Sequence, residues 1–178
     1  VVLSNWNYSG FEGKPVELVV YSKAEEVEVI VNGQSLGRKK VCTEPPMPNS
    51  VRFETVYQPG KVEAISYRGG KEISRDILLT TGEAAEIRIN PEKLEMKADG
   101  HDVIYVGIEV LDKDGLVVPD AAVALSAKVS GCAVLAGFGS GNPITDEDYT
   151  DEETVSFRGR AMAILRSGYE KGTVNFTV

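Results

Sequence analysis

Hydrophobic and polar residues alternate along most of this chain with a period of two. Across residues 15–22, Val16, Leu18 and Val20 fall on one side. In the next apolar stretch Val27, Val29 and Val31 do the same, with Glu26 and Glu28 opposite. Alternation of this kind marks a strand with one face in a core and the other in water. Asn32-Gly33-Gln34-Ser35 supplies a turn, because Asn and Gly tolerate positive φ, and residues 36–41 are predicted to return as the paired strand. The run Glu44-Pro45-Pro46-Met47-Pro48-Asn49 holds three prolines, which cannot sit inside a sheet, so a loop is expected there. Strand pattern resumes over 50–57, with Val51, Phe53, Thr55 and Tyr57 on one face, and again over 61–67 and 72–79. Pro59-Gly60 and Arg68-Gly69-Gly70-Lys71 read as the turns between them.

After Thr80-Thr81-Gly82-Glu83, which reads as a linker, the pattern starts afresh. Strands are predicted over 86–90, 93–98 and 103–111, the last with Ile104, Val106, Ile108 and Val110 inward. Further strands are predicted over 116–118, through Val123, Leu125, Ala127 and Val129, and over 154–157, 160–167 and 173–178. The four glycines of residues 131–143 are too many for a regular strand and predict a bulged strand and a loop. No stretch shows a helical period. The expectation is an all-β chain of two tandem immunoglobulin-like β-sandwich domains, residues 1–82 and 83–178. The strand-like opening at Val1, without a Met, reads as the start of an excised piece.

Charge supports the same division. Lys/Arg and Asp/Glu balance over residues 1–82, so the whole net charge of −8 falls in residues 83–178. A chain this acidic carries no electrostatic footprint for nucleic acid or an anionic membrane. No apolar run approaches the roughly 18 residues that cross a bilayer as a helix, so no membrane insertion is expected. Cys42 and Cys132 stand on opposite sides of the boundary, where a disulfide is not expected.

Specific phrases carry a resemblance. Trp6-Asn7-Tyr8, Glu12-Gly13-Lys14-Pro15-Val16, Tyr21-Ser22, Val31-Asn32-Gly33-Gln34-Ser35-Leu36-Gly37 and Tyr57-Gln58-Pro59-Gly60 occur in that order. They are followed by Val110-Leu111-Asp112-Lys113-Asp114-Gly115, Leu135-Ala136-Gly137-Phe138-Gly139-Ser140-Gly141-Asn142-Pro143 and Phe157-Arg158-Gly159-Arg160-Ala161. Together they resemble the domains after the catalytic barrel in bacterial glycoside hydrolase family 2 enzymes of the β-galactosidase type. Asn5, Tyr8 and Asn142 depart from the residues usual there, His, Trp and Asp. The resemblance implies a non-catalytic accessory region whose partner is an upstream catalytic (β/α)8 barrel of the same polypeptide. It also implies a periplasmic or extracellular location, and neither cofactor nor metal. In that family the barrel carries a glutamate acid/base and a glutamate nucleophile, and a barrel takes about 250 residues, more than this chain holds.

Other chemistry has weak sequence support. His101, the sole histidine, lies in the turn-like Ala98-Asp99-Gly100-His101-Asp102 and reads as a solvated turn residue rather than a catalytic base. One His and two separated Cys make no usual zinc site. Gly137-Phe138-Gly139-Ser140-Gly141 lacks the Lys and helix of a phosphate loop. The acidic run 146–153 suits Ca²⁺ by its oxygen ligands but lacks the EF-hand glycine, and a self-repelling loop is the simpler reading. Trp6 and Tyr8 are the candidate contact residues. An indole and a phenol there stack on a glycan or on the barrel, or Trp6 plugs one end of the first sandwich. An autonomous carbohydrate-binding module and an adhesin-type immunoglobulin-like spacer are the competing functions.

Overall fold

The computed structural model describes residues 5–178, and the strand-like opening of the chain falls on residues 1–4, outside them. Every regular element among the described residues is a strand, and the strands gather into two units, Val1–Thr80 and Thr81–Val178.

The first unit contains β1 (Pro15–Tyr21), β2 (Glu26–Val31), β3 (Gln34–Lys40), β4 (Ser50–Val56), β5 (Lys61–Arg68) and β6 (Lys71–Leu79). β1 and β4 pair antiparallel, with Leu18 opposite Phe53, and the other four form a sheet in the order β3-β2-β5-β6. The period of two decides which residues meet. Val27, Val29 and Val31 of β2 pack with Val51 and Phe53 of β4 in one core, and Val16, Leu18 and Val20 of β1 close over it. Two sheets that share their apolar faces in this way form a sandwich.

Turn chemistry sets the register. Asn32 and Gly33 have φ of 49° and 85°, the two positive values that a two-residue hairpin of matching twist requires. The Asn32 amide then reaches across to the β4–β5 turn. Its Nδ2 donates to the Pro59 carbonyl at 3.0 Å, and its Oδ1 accepts from the Lys61 N–H at 2.7 Å. Gly60, at φ 135°, has no side chain, and a Cβ there would collide with the Asn32 amide.

The second unit contains β7 (Glu86–Pro91), β8 (Val103–Leu111), β9 (Ala124–Ser126), β10 (Lys128–Gly131), β11 (Ala133–Gly139), β12 (Glu153–Val155), β13 (Arg160–Ser167) and β14 (Val174–Thr177). A four-stranded sheet runs β11-β13-β8-β7, faced by the pairs β10-β14 and β12-β9. Its core joins Ile104, Val106 and Ile108 of β8 to Leu125, Phe138, Ala163 and Leu165.

Three sequence expectations are corrected here. Residues 93–98 form no strand, because a side chain fixes their backbone in place of a ladder. Asp102 accepts from the Lys97 N–H at 2.8 Å and pairs with Lys93 at 2.7 Å. Met96 turns to the core while Leu94, two residues before it, stays 87% exposed. Residues 116–118 contribute a single bridge, Val117 to Leu111. The strand expected through Val123–Val129 is two strands, β9 and β10, which pair with different partners. Its inward alternation survives the switch, since Val123, Leu125, Ala127 and Val129 all pack on the same core. The predicted bulge is present in β11, where the pairing with β13 slips between Leu135 and Gly137.

Burial on β8 gives a direct test. Truncating fully buried Ile108 to Ala is expected to cost about 2–5 kcal/mol. Tyr105→Ala, on the opposite face of the same strand, is expected to change stability by less than about 1 kcal/mol. Urea unfolding of both variants at neutral pH measures the difference.

Candidate functional site

The two residues nominated from sequence come together with a third. Trp6, Tyr8 and Tyr57 form an edge-to-face cluster, with ring centroids 5.0 Å apart for Trp6–Tyr57, 5.4 Å for Tyr8–Tyr57 and 6.0 Å for Trp6–Tyr8. Perpendicular rings place the positive edge of one on the negative face of the next. Trp6 is 0% exposed and donates its indole N–H to the Gln58 carbonyl at 2.9 Å. Its own carbonyl accepts from Thr80 Oγ1 at 2.6 Å and from the Tyr57 hydroxyl at 3.4 Å. Thr80 in turn accepts from the Gly60 N–H at 3.0 Å. Trp6 therefore plugs the first sandwich and presents no ring face for stacking. Tyr8, 37% exposed, is the surface member of the cluster. Tyr57 was legible only as an inward strand residue; its position beside the Gln58-Pro59-Gly60 turn was the available signal.

The charged convergences lie elsewhere. In the first unit Glu28 accepts from Ser35 Oγ at 2.7 Å and from the Tyr67 hydroxyl at 3.0 Å, while the Arg38 guanidinium lies 3.4 Å over the Tyr67 ring. The hydrogen bonds from Ser35 and Tyr67, aided by Arg38, hold the Glu28 carboxyl below its ordinary proton affinity. Glu63 sits between Lys61 and Arg75, each at 2.6 Å, and is displaced the same way. In the second unit Glu109 accepts from Arg88 at 2.6 Å and from Asn90 at 3.1 Å, and Arg88 is the main cause of its lowered pKa.

Asp112 is the most enclosed of these acids, 1% exposed. Its Oδ2 accepts from the Gly82 N–H at 2.8 Å, and its Oδ1 accepts from the N–H groups of Asp114 and Leu116, each at 2.9 Å. These donors, Gly82 first, hold it below the ordinary value of 3.8. One carboxylate thus fastens both the start of the second unit and the turn after β8.

The other sequence candidates are also placed. The exposed His101 belongs to an Asx turn, its backbone N–H donating to Asp99 Oδ1 at 2.9 Å. In the glycine-rich stretch, Phe138 N–H donates to the Tyr149 carbonyl at 2.8 Å and the Tyr149 ring covers Gly139. A Cβ at Gly139 would stand 2.5 Å from that ring, so the glycine is a packing requirement. In the acidic run, Glu147 accepts from Thr154 Oγ1 and the Val155 N–H, and Asp148 accepts from Thr150. Among the described residues no group of three or more His, Cys, Asp or Glu is arranged to hold a metal ion. Cys42 and Cys132 are free thiols in separate units.

Every carboxylate among the described residues with a displaced proton affinity is displaced downwards. A carboxylic acid that protonates a leaving group at neutral pH needs the opposite displacement. These acids are ionised at neutral pH and accept hydrogen bonds.

The family "Glycoside hydrolase family 2 C-terminal domain 5" matches residues 87–178, and "Domain of unknown function (DUF4982)" matches residues 13–74. Beta-galactosidase BoGH2A of Bacteroides ovatus is 32% identical over 174 residues, which are 97% of this chain and 20% of that protein. A glycosyl hydrolase family 2 member from Bacteroides cellulosilyticus superposes with a TM-score of 0.93 at 30% identity, over 98% of this chain and 24% of that one. A beta-glycosidase from Bacteroides vulgatus gives 0.87 at 32% identity, over 98% and 22%. The chain spans about a fifth of the length of the curated relatives it matches.

Two predictions follow the geometry. Trp6→Ala is expected to destabilise the first unit by about 3–5 kcal/mol, measured by chemical unfolding followed through tyrosine fluorescence. Because Asp112 has a depressed folded pKa, its stabilisation is complete above the unfolded value near 3.8 and is lost as pH falls through the lower folded value. Asp112→Asn should therefore be less stable than the parent at pH 7, with the gap narrowing as pH falls from 5 to about 2. A gap that stays constant with pH contradicts the role of the charge.

Proposed function

The chain belongs to glycoside hydrolase family 2, whose C-terminal domain 5 it carries at residues 87–178, and on that basis we propose that it is the accessory end of a β-galactosidase-type enzyme. In this reading an upstream (β/α)8 barrel of the same polypeptide hydrolyses the O-glycosidic bond. The two sandwiches brace that barrel or shape the rim of its active site.

One observation carries the reading. Both units match, in order and over nearly the whole chain, about a fifth of much longer glycosidases. The electrostatics supports it, because Glu28, Glu109 and Asp112 are held ionised by arginine, hydroxyl and backbone donors, the opposite of what a proton donor needs. The burial of Trp6 weakens the alternative of an autonomous carbohydrate-binding module, which needs an open aromatic platform.

Purified 178-residue chain is expected to fold yet give no release of nitrophenol from a nitrophenyl β-galactoside above buffer. The parent polypeptide is expected to release it. Turnover by the short chain overturns the accessory role, and a parent polypeptide inactive on β-galactosides and related glycosides overturns the assignment to a glycosidase.

A further inference from the structure

Of the asparagines in this chain, only Asn32 stands directly before a glycine, Gly33. That order has a chemical consequence. A backbone nitrogen can attack the side-chain amide carbon of a preceding asparagine, and glycine, with no Cβ, lets its nitrogen approach most freely. Asparagine is accordingly among the thermolabile residues. In this reaction the Gly33 nitrogen bonds to Asn32 Cγ, the Cγ–Nδ2 bond breaks, and ammonia leaves with the Gly33 amide proton. Water then opens the cyclic succinimide at either carbonyl, giving aspartate or isoaspartate.

The folded chain holds these groups out of the reaction. Asn32 Nδ2 donates to the Pro59 carbonyl at 3.0 Å, Oδ1 accepts from the Lys61 N–H at 2.7 Å, and the Asn32 N–H donates to the Lys61 carbonyl at 2.8 Å. The Asn32 backbone is fixed at φ 49° in the hairpin turn, and Gly60 leaves open the space that the amide fills. Ring closure requires Cγ to swing onto the next nitrogen. That movement breaks both side-chain bonds and takes their partner from the Pro59 carbonyl and the Lys61 N–H. Residue 32 is exposed, so water for hydrolysis is at hand and solvent exclusion gives no protection. Restraint rests with the clasp.

We infer that Asn32 is a latent site of spontaneous deamidation, silenced in the folded chain by its clasp on the β4–β5 turn and released when that clasp opens. The change runs one way. Aspartate at this position has no donor for the Pro59 carbonyl and sets an anionic oxygen against it. Isoaspartate adds a backbone carbon inside a two-residue hairpin, whose geometry depends on its length. The first unit therefore closes less firmly after modification than before it, and the modified fraction accumulates as a record of past openings. The inference concerns the first sandwich alone and is independent of the accessory reading.

The test incubates the 178-residue chain at mildly alkaline pH, native in one sample and unfolded in urea in another. Proteolysis and mass spectrometry resolve Asn, Asp and isoAsp at position 32. Amide exchange at the Lys61 N–H in the native sample measures how often the clasp opens. Asn32 is expected to convert at least about tenfold more slowly in the native chain, with the Lys61 N–H protected by a similar factor. A smaller difference overturns the proposal, and so does a slow Asn32 beside a Lys61 N–H that exchanges freely. Asn32→Asp supplies one product directly and is expected to lower the Tm of the first unit by about 4 °C or more, followed through the fluorescence of Trp6. A lower Tm, or failure to fold, supports the one-way step, and an unchanged Tm overturns it. None of these readouts involves sugar hydrolysis, so the proposed function stands or falls separately.

Discussion

A strand with a period of two can leave only one of its faces in water, and every other feature of this chain answers to that constraint. The apolar face of β2 and β5 has to be covered, and β1 and β4 cover it. The apolar face of β8 and β13 has to be covered, and β9, β10 and β14 do so. Burial of Val27, Val29, Ile108 and Ala163, each with no exposed surface, shows where the demand is fully met. The partial exposure of Ile87 and Ile89 shows where it is not.

Polar chemistry in this chain serves that architecture. The side chains that most resemble catalytic equipment, Glu28, Glu63, Glu109 and Asp112, are acceptors for donors that come from other strands or turns. Glu109 ties β7 to β8, Glu63 ties β5 to β6, and Asp112 gathers three backbone N–H groups that no ladder serves. Buried backbone donors must find partners somewhere, and a carboxylate at the end of a strand satisfies several at once. Within each unit these carboxylates thus act as anchors between strands and turns.

The fold was legible where local pattern and tertiary demand coincide. The alternation at Val27–Val31 and Ile104–Val110 and the turn residues Asn32-Gly33 and Gly69-Gly70 each specify their structure within a few positions. Legibility failed where a distant group decides the matter. Residues 93–98 alternate like a strand, but Asp102 captures their backbone. The run from Val123 to Val129 keeps one inward face, so nothing in it announces a change of hydrogen-bonding partner at Ala127. The anchoring role of Asp112 depends on Gly82, thirty residues earlier, and the need for Gly139 depends on the ring of Tyr149. The pairing of Trp6 with Tyr57 was hidden for the same reason: fifty-one positions separate two residues whose rings are in contact.

The clasp between Asn32 and Gly60 carries an evolutionary consequence. The amide that organises one turn fills the space that any side chain on the other would need. A larger residue at position 60 has nowhere to go while the amide remains, and loss of the amide strands the Lys61 N–H and Pro59 carbonyl while the glycine remains. Each single change carries a cost that a change at both positions together avoids. The two sites should drift as a coupled pair, slowly, even though both lie on the surface, where sequence usually wanders freely.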